Sequence, residues 1–295
     1  MDTKEFASLR KYVSTPYGEI AYVEKGSGPV ALFVHGVLLN GYLWRDAIDS
    51  LADVRRCIAP DLMGHGATKA PADADTTFAG QAKMLAALVD ALGVEQVDVV
   101  ANDTGGGVSQ IFAAEHPEKV RSLTLTNCDT HDNYPPAALE ALVGAVKAGN
   151  FGTIGKMWLG DKSTVRASFG VAYEDVNAVP DERIDFYLKP IFDSETNTAL
   201  VGRLIETQNE QNVRIEARLR QVKAPALIMW GTDDVFFDKK WAYWLKDALP
   251  GAREVIEVPA ARIFWPEERP EFFAGKLREF LASVDAGSKA AAARA

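Results

Sequence analysis

The chain has 295 residues, 47% of them apolar and 25% charged, so its composition is typical of a soluble globular protein with one large core or one core plus an insertion. Its net charge of −9 argues against a binding surface for nucleic acid or for an anionic membrane. The first residues have neither the basic nor the apolar segment of a secretion signal, and no apolar run approaches ~18 residues, so we predict a cytoplasmic protein without a membrane partner.

Short apolar runs alternate with helical patterns along most of the chain. Two strand candidates, 8–14 and 19–25, flank a Pro/Gly turn and predict an N-terminal hairpin. Continuous apolar runs follow at 30–34, 56–59, 97–101, 122–126, 226–230 and 254–258, and such runs indicate strands buried on both faces. Helical patterns lie between them at about 42–52, 77–92, 106–116, 239–249 and 267–283. This alternation predicts an α/β fold with a doubly wound, mostly parallel sheet.

The alternation stops between about Asp132 and Gln221, after the sixth strand candidate and before the seventh. Helix-like segments at 136–148, 183–188 and 198–210 follow one another there without a convincing strand. We therefore predict a core of residues 1–131 and 222–284, a helical insertion at 132–221, and a disordered tail at 285–295. Cys57 and Cys128 lie in or beside apolar runs, which predicts buried free thiols.

An aspartate stands at a sharp strand-to-helix turn within residues 97–107. Asp103 follows an apolar run, and small residues at Ala101, Gly105 and Gly106 leave room for a crowded backbone. A carboxylate exposed on such a turn suggests attack on carbon with an alkyl-ester intermediate. Taken alone, the stretch also fits a glycine-rich helix start with Asp103 as a surface turn residue.

Four motifs stand in one order along the chain: His35-Gly36, the segment 61–68, the Asp103 turn, and Trp230-Gly-Thr-Asp-Asp234. Together they resemble the α/β-hydrolase superfamily over nearly the whole chain. The aspartate at the turn is similar to that of the haloalkane dehalogenase and epoxide hydrolase branch. The resemblance implies an eight-stranded sheet and a helical cap at 132–221 that covers the active site and determines substrate specificity.

The resemblance also implies a role for each site residue. Asp103 would be the nucleophile, and the backbone N–H groups of Val37 and Thr104 would form an oxyanion hole. An acid, Asp234 or alternatively Asp129, would orient the base that activates water. Asp234 and its neighbour Asp233 also fit a plain turn.

The base that the resemblance implies is missing. Relatives carry a histidine after the last strand, where this chain has Ile263, and none of its four histidines comes after His131. Loss of one member of such a triad costs ~10³-fold or more in rate, which would trap the ester. His131, where the chain leaves the sheet, is the candidate substitute base. Structural or surface roles are predicted for the others, His35, His65 and His116.

Signals for a substrate subclass are incomplete. Dehalogenases of this branch usually place Trp after the nucleophile and Asn after His-Gly, where this chain has Thr104 and Val37. Asn40 or Trp158 could supply the missing halide-binding N–H group. Epoxide hydrolases use two cap tyrosines and a His-Gly-x-Pro loop, in which Leu38 here replaces proline. The candidate cap tyrosines are Tyr134, Tyr173 and Tyr187.

Three functions are compatible with these residues. The first is a hydrolase of a small apolar electrophile, a haloalkane or an epoxide. The second is a lyase, isomerase or cyclase with Asp103 as general acid or base, its pKa raised by an apolar pocket. The third is a catalytically impaired or ligand-binding relative, and Ile263 could also be an introduced change. A small molecule is the predicted partner, and no cofactor is predicted, since nucleotide-loop and metal-ligand spacings are absent.

Overall fold

An eight-stranded sheet forms the centre of the fold in a computed structural model that describes residues 1–207 and 210–292. The strands are β1 (Arg10–Thr15), β2 (Gly18–Lys25), β3 (Val30–Val34), β4 (Arg56–Pro60), β5 (Val97–Asp103), β6 (Val120–Cys128), β7 (Ala226–Gly231) and β8 (Ala252–Val258). Their spatial order is β1-β2-β4-β3-β5-β6-β7-β8. β2 pairs antiparallel with β1 and β4, and the other neighbours pair in parallel. The predicted α/β fold with a mostly parallel sheet is confirmed.

Helices precede the sheet and connect most of its strands. Before the sixth strand they are α1 (Thr3–Ser8), α2 (Arg45–Leu51), α3 (Phe78–Ala91) and α4 (Thr104–Glu115). Helix α1 was not predicted, although Asp2 caps it by accepting a hydrogen bond from the Glu5 amide at 2.8 Å. Strands β3 and β5 are buried along their whole length, as their continuous apolar runs predict.

A helical segment lies between β6 and β7, where the sequence predicts an insertion. It contains α5 (Glu140–Lys147), α6 (Phe151–Gly160), α7 (Lys162–Phe169), α8 (Asp181–Phe192), α9 (Glu195–Ile205), α10 (Glu210–Arg214) and α11 (Glu216–Leu219). The predicted helix at 198–210 is too long, since α9 ends at Ile205, and its residues 208 and 209 lie outside the described residues. The division into a core and a separate cap stays a prediction.

The C-terminal helices correct the predicted disordered tail. After α12 (Lys240–Ala248) and α13 (Trp265–Glu268), helix α14 runs from Pro270 to Ala292. Asp285, placed in the tail by the sequence, pairs with Arg55 at 3.0 Å and also contacts Arg121, which anchors this part of α14 to the sheet. Residues 293–295 of the predicted tail lie outside the described residues. None of the described helices is long and apolar enough to cross a bilayer.

Both cysteines are free and buried, as the sequence predicts. Cys57 lies in β4 and Cys128 ends β6, beside the turn that carries Asp103. Burial raises the pKa of the Cys57 thiol to about 12 and that of Cys128 well above its usual value. Neither thiol is therefore ionised near neutral pH.

Candidate active site

The turn between β5 and α4 holds Asp103 in a left-handed backbone conformation, with φ of 56° and ψ of −138°. Small residues make this turn possible, because a Cβ at Gly105 would lie 2.4 Å from the His35 carbonyl oxygen. A Cβ at Gly106 would lie 2.3 Å from the Cβ of Cys128. The Asp103 side chain is only 6% exposed, so the structure excludes the surface-turn interpretation of this residue.

Gly36 gives the loop after β3 its close approach to the Asp103 carboxyl. A Cβ at Gly36 would lie 2.0 Å from Oδ2 of Asp103, nearer than any real contact between such atoms. The same loop brings the amide of Val37 to the carboxyl. The sequence analysis gave Gly36 no role of its own. Its position between the end of a strand and Val37, the predicted oxyanion residue, could have indicated a close approach of this loop to Asp103.

Asp103 titrates near neutrality. Burial, together with a smaller effect of the charge of Asp234, raises the pKa of Asp103 to about 7. Hydrogen bonds from the backbone amides of Thr104 and Val37 favour the carboxylate and oppose this rise. The two amides predicted to form an oxyanion hole thus act directly on this carboxyl. Their contribution to catalysis stays a prediction.

A cavity of about 400 Å³ opens above Asp103. Its walls are mostly apolar and come from the loop after β3, the helical segment, residues 236–237 and residues 263–264. The polar side chains in its lining are those of Asp103, Thr104, Asp129, Tyr134 and Ser168. No histidine is among these described lining residues. Nor do residues 1–207 and 210–292 contain a group of three His, Cys, Asp or Glu side chains that could hold a metal ion.

Ile263 occupies the position where the resemblance expects the base. Its side chain is buried and lines the cavity, and its carbonyl oxygen accepts a hydrogen bond from Nδ2 of Asn102 at 2.9 Å. The neighbouring Arg262 donates to the Gly170 carbonyl at 2.7 Å, which ties this loop to the helical segment. An alkyl group therefore faces the cavity where proton transfer would be needed.

Asp234 is held in place by hydrogen bonds but does not line the cavity. Oδ2 accepts from Nδ2 of Asn127 at 2.8 Å, and Oδ1 accepts from the Phe236 amide at 2.9 Å. Burial raises the pKa of Asp234 to about 7, and these bonds oppose the shift. Sequence reasoning missed Asn127, which also accepts from Nε1 of Trp265 at 3.1 Å and so connects β6, β7 and α13. The neighbouring Asp233 is exposed.

Asp129 is the second carboxyl group of the cavity. It directly follows Cys128, the residue of β6 that is in register with Asp103 of β5. The side chain is 1% exposed, and neither carboxyl oxygen has a hydrogen bond of normal geometry to a described residue. Burial and the charge of Asp103 raise its pKa well above the usual range, and the Thr104 side chain opposes this shift.

His131 is not brought to Asp103, contrary to the prediction that it substitutes for the base. Its backbone is left-handed, with φ of 51°, and its side chain is not among the residues that line the cavity. Its Nε2 lies 3.1 Å from Oε2 of Glu216, and its ring lies 4.7 Å from that of Trp244. The sequence could not show this, because Glu216 lies 85 residues further along the chain.

The other histidines make structural or surface contacts, as predicted. Nε2 of His35 accepts from the Leu62 amide at 2.9 Å, and Nδ1 donates to the Gly36 carbonyl at 2.8 Å. Burial lowers the pKa of His35 to about 4 and that of the adjacent His65 to about 3. Both rings are therefore neutral near pH 7. His116 follows the end of α4 and is partly exposed.

The candidate tyrosines have partners elsewhere. Tyr134 lines the cavity, but its hydroxyl donates to the carbonyl oxygens of Leu204 and Ile205 at 3.2 and 2.8 Å. Tyr173 and Tyr187 lie outside the cavity lining and donate to Glu267 at 2.6 and 2.9 Å. The structure therefore does not form the predicted pair of cap tyrosines above Asp103.

The two candidate substitutes for halide ligands are also engaged. Asn40 lies outside the cavity lining and donates to the Phe186 carbonyl at 2.8 Å. Trp158 lines the cavity, but its indole N–H donates to Oγ of Ser168 at 3.2 Å. Neither supplies an unpartnered N–H to the cavity.

The chain as a whole is similar to known proteins. The family model described as alpha/beta hydrolase fold matches residues 29–268. A cis-3-alkyl-4-alkyloxetan-2-one decarboxylase of Shewanella oneidensis is 28% identical over 264 residues, 83% of this chain and 79% of that protein. Haloalkane dehalogenase 2 of Mycobacterium tuberculosis is 27% identical over 278 residues, 91% of this chain and 93% of that protein. The crystal structure of an ancestral haloalkane dehalogenase is 25% identical, with a TM-score of 0.77, and covers 94% of this chain and 99% of that chain.

Proposed function

The chain belongs to the α/β-hydrolase family, its homologues include haloalkane dehalogenases, and on that premise we propose that Asp103 is an enzymatic nucleophile. It attacks carbon in a small apolar electrophile, a haloalkane or an epoxide, and forms an alkyl ester. One observation carries this proposal: a buried aspartate stands on a strained strand-to-helix turn, with two backbone amides acting on its carboxyl. The names of the relatives support an electrophilic substrate.

The cavity suits an uncharged substrate. A space of about 400 Å³ with mostly apolar walls favours a small molecule without charge, which loses little solvation on entry. Burial also leaves the Asp103 carboxylate poorly solvated and therefore more reactive. The amides of Thr104 and Val37 would then stabilise negative charge that develops when water attacks the ester.

The helical segment at 132–221 contributes much of the wall of the cavity. Leu139, Trp158, Phe169 and Ala172 from this segment face the same space as Asp103. This arrangement supports the role of a cap that determines which substrates fit. Substitutions on these residues would change substrate preference more than the chemistry at Asp103.

Hydrolysis of the ester is the slow half of the proposed reaction. The histidine that the resemblance implies would accept the proton of the attacking water, but this chain has Ile263 at that position, in the lining of the cavity. Asp234 keeps its position without a histidine to orient. We therefore expect the alkyl ester at Asp103 to accumulate.

Intact-mass measurement after incubation with bromoalkanes and epoxides tests this proposal. We expect a mass increase of one alkyl or hydroxyalkyl group that peptide mapping assigns to Asp103. The Asp103→Asn variant should gain no mass under the same conditions. A broad panel of both electrophiles that leaves the folded wild-type protein unmodified and yields no product would refute the nucleophilic role.

A second candidate function uses Asp103 as a general acid or base without an ester. It is favoured by the pKa of Asp103, which burial raises to about 7 and so into the range that suits proton transfer near neutral pH. A lyase, isomerase or cyclase of this kind would need no histidine. Turnover without any adduct at Asp103, abolished in Asp103→Asn, would establish this function in place of the first.

A further inference from the structure

The cavity contains a second acidic group beside the nucleophile. We propose that Asp129 is a catalytic residue that protonates the leaving oxygen of a strained cyclic ether while Asp103 attacks carbon. In the slow second step it takes a proton from the water that hydrolyses the ester, so the ester still accumulates. This inference rests on the proposed function of Asp103 and specifies its substrate class, since only a leaving oxygen needs a proton.

The position of Asp129 follows from the register of the sheet. Asp103 and Cys128 are paired across β5 and β6, so Asp129 comes one residue after the partner of the nucleophile. Both carboxyl groups line the same cavity. Gly107 leaves room for Asp129, because a Cβ there would lie 3.0 Å from the Cβ of Asp129.

Asp129 is the side chain with unmet hydrogen-bonding capacity in the cavity. Among the described lining residues, it alone has buried side-chain oxygen or nitrogen atoms without a hydrogen bond of normal geometry, and this holds for both its oxygens, with the Thr104 side chain as a neighbour that favours the carboxylate. The hydroxyl of Tyr134 and the indole of Trp158 donate to other protein atoms. A polar group of a substrate is therefore the partner that the Asp129 carboxyl lacks.

The charges around Asp129 favour its protonated form. Burial raises the pKa of Asp129, and the negative charges of Asp103 and Asp234, when these groups are ionised, raise it further. The nearby Cys128 and Tyr134 are neutral near pH 7 because burial raises the pKa of each. The cavity lining described in the structure includes no Lys or Arg side chain. Asp129 is thus the proton donor and Asp103 the carboxylate of this pair, as in other paired carboxyls.

The two carboxyl groups supply the nucleophile and the proton that ring opening requires. An Asp103 carboxylate oxygen forms a bond to a ring carbon, the carbon–oxygen bond of the ring breaks, and the oxygen takes the proton of Asp129. The product is a hydroxyalkyl ester at Asp103 and a carboxylate at Asp129. Because the ester has no charge, the repulsion that favours protonated Asp129 falls at this step.

Hydrolysis then restores both groups. Water adds to the ester carbon of Asp103 and gives one proton to Asp129. The tetrahedral intermediate expels the alkoxide, which takes the remaining acid proton, so a diol leaves. Asp103 is again a carboxylate and Asp129 is again protonated. The cycle needs no other reactant than water.

A comparison of two leaving groups in the Asp129→Asn variant tests the proposal. Single-turnover adduct formation is followed by mass spectrometry with a short-chain epoxide and with a bromoalkane of equal carbon number. We expect the variant to react with the epoxide at least ~100-fold more slowly than the wild type. Bromide leaves without a proton, so the bromoalkane rate should stay within about threefold.

Asp132→Asn is the matched control, because it removes an exposed carboxyl three positions further on, outside the cavity lining. It should react with both electrophiles like the wild type. Circular dichroism checks that the Asp129→Asn protein is folded. The role of Asp129 is overturned if the folded variant reacts normally with the epoxide, or if it loses both reactions equally. A wild-type protein that forms no adduct with either electrophile overturns the proposed nucleophile and, with it, this inference.

The wild-type protein provides a test that needs no variant. Its rate of reaction with the epoxide should fall at high pH as Asp129 loses its proton, whereas the bromoalkane rate should stay at its plateau. Identical pH profiles for the two electrophiles would contradict the proton transfer from Asp129. This measurement decides the matter even if the amide variant fails to fold.

Discussion

At Asp103 a carboxyl group is buried, and the described residues that line its cavity include no lysine or arginine, which determines what Asp103 can do. Burial and the charge of Asp234 favour the protonated acid, whereas the Thr104 and Val37 amides favour the carboxylate. The balance puts the pKa at about 7, so both forms are present near neutral pH. A group of this kind can act as nucleophile or exchange a proton.

The rate of alkylation at Asp103 should therefore depend on pH. Only the carboxylate attacks carbon, so we expect the rate with a bromoalkane to rise through about pH 7 and then level off. Asp103, Asp129 and Asp234 interact, so the observed midpoint belongs to the group rather than to one residue. Stopped samples analysed by intact mass across pH 5 to 9 would measure the profile.

The Asp234→Asn variant should shift this profile to lower pH, because it removes a negative neighbour that raises the pKa of Asp103. Asn can still accept the hydrogen bond from the Phe236 amide, so the loop should keep its position. A rate independent of pH, or a shift of the midpoint to higher pH, would show that this electrostatic account is wrong.

Restoring a base at position 263 should complete the hydrolytic cycle. The Ile263→His variant places an imidazole in the cavity lining, where it can activate water against the Asp103 ester. We expect steady-state hydrolysis of a bromoalkane or epoxide to increase by ~10³-fold or more. The measurement is product formed per enzyme over many turnovers.

Ile263→Leu is the matched control for that variant, since it keeps the apolar volume and adds no base. It should show the same slow turnover as the wild type. If the folded histidine variant gains no hydrolysis with any electrophile in the panel, the general acid or base function becomes the better account of Asp103.

Among the elements, the loop after β3 and the turn after β5 form the floor of the cavity together. We expect the Gly36→Ala variant to lose at least ~100-fold in alkylation rate, because its Cβ would lie 2.0 Å from Oδ2 of Asp103 and would displace the carboxyl. Gly275→Ala in α14 is the control, since its Cβ would meet nothing within 4 Å. Equal alkylation rates in the two variants would disprove this role of the loop.

A buried network connects the helical segment to the core, and sequence reasoning missed it. Glu267 in α13 accepts hydrogen bonds from Tyr173 and Tyr187 of the helical segment and from Arg45 of α2, at 2.6, 2.9 and 2.6 Å. Tyr173 and Tyr187 looked like catalytic candidates because tyrosines in a cap suggest acids. Only the packing of three distant segments shows that Glu267 holds both hydroxyls.

The strands were predictable because burial on both faces leaves a continuous apolar run in the sequence. Asp103 could be singled out because the strand and the small residues around the turn mark its position, whereas Ile263 was identified only by the resemblance to relatives that carry a histidine there. The direction of His131 and the continuation of α14 past Asp285 were not predictable. Each depends on partners that are distant in sequence, Glu216 for the first and Arg55 and Arg121 for the second.

For the whole molecule, the buried carboxyls make stability depend on pH. The folded-state pKa of Asp103, about 7, lies above the unfolded value of ~3.9, so folding favours the protonated acid. The stabilisation that the protonated Asp103 gives to the folded state is fully present below about pH 4. It is lost as the pH rises through 7, where the folded state must bury the charged carboxylate. The site therefore opposes folding at alkaline pH.

The Asp103→Asn variant should remove this penalty. We expect it to unfold at a higher temperature than the wild type at pH 8, with a gain of up to ~4 kcal/mol, and to show little gain at pH 4. Thermal unfolding followed by circular dichroism at the two pH values measures the difference. A stability gain that is the same at both pH values would mean that the ionisation of Asp103 is not its cause.

The most direct test of the nucleophilic role of Asp103 is a crystal structure of the protein after reaction with a bromoalkane. The account predicts continuous electron density from one Oδ of Asp103 to the alkyl carbon, with the chain in the apolar cavity and Ile263 beside it. Unmodified Asp103 in a protein that has consumed the electrophile, or density joined to another residue, would contradict it.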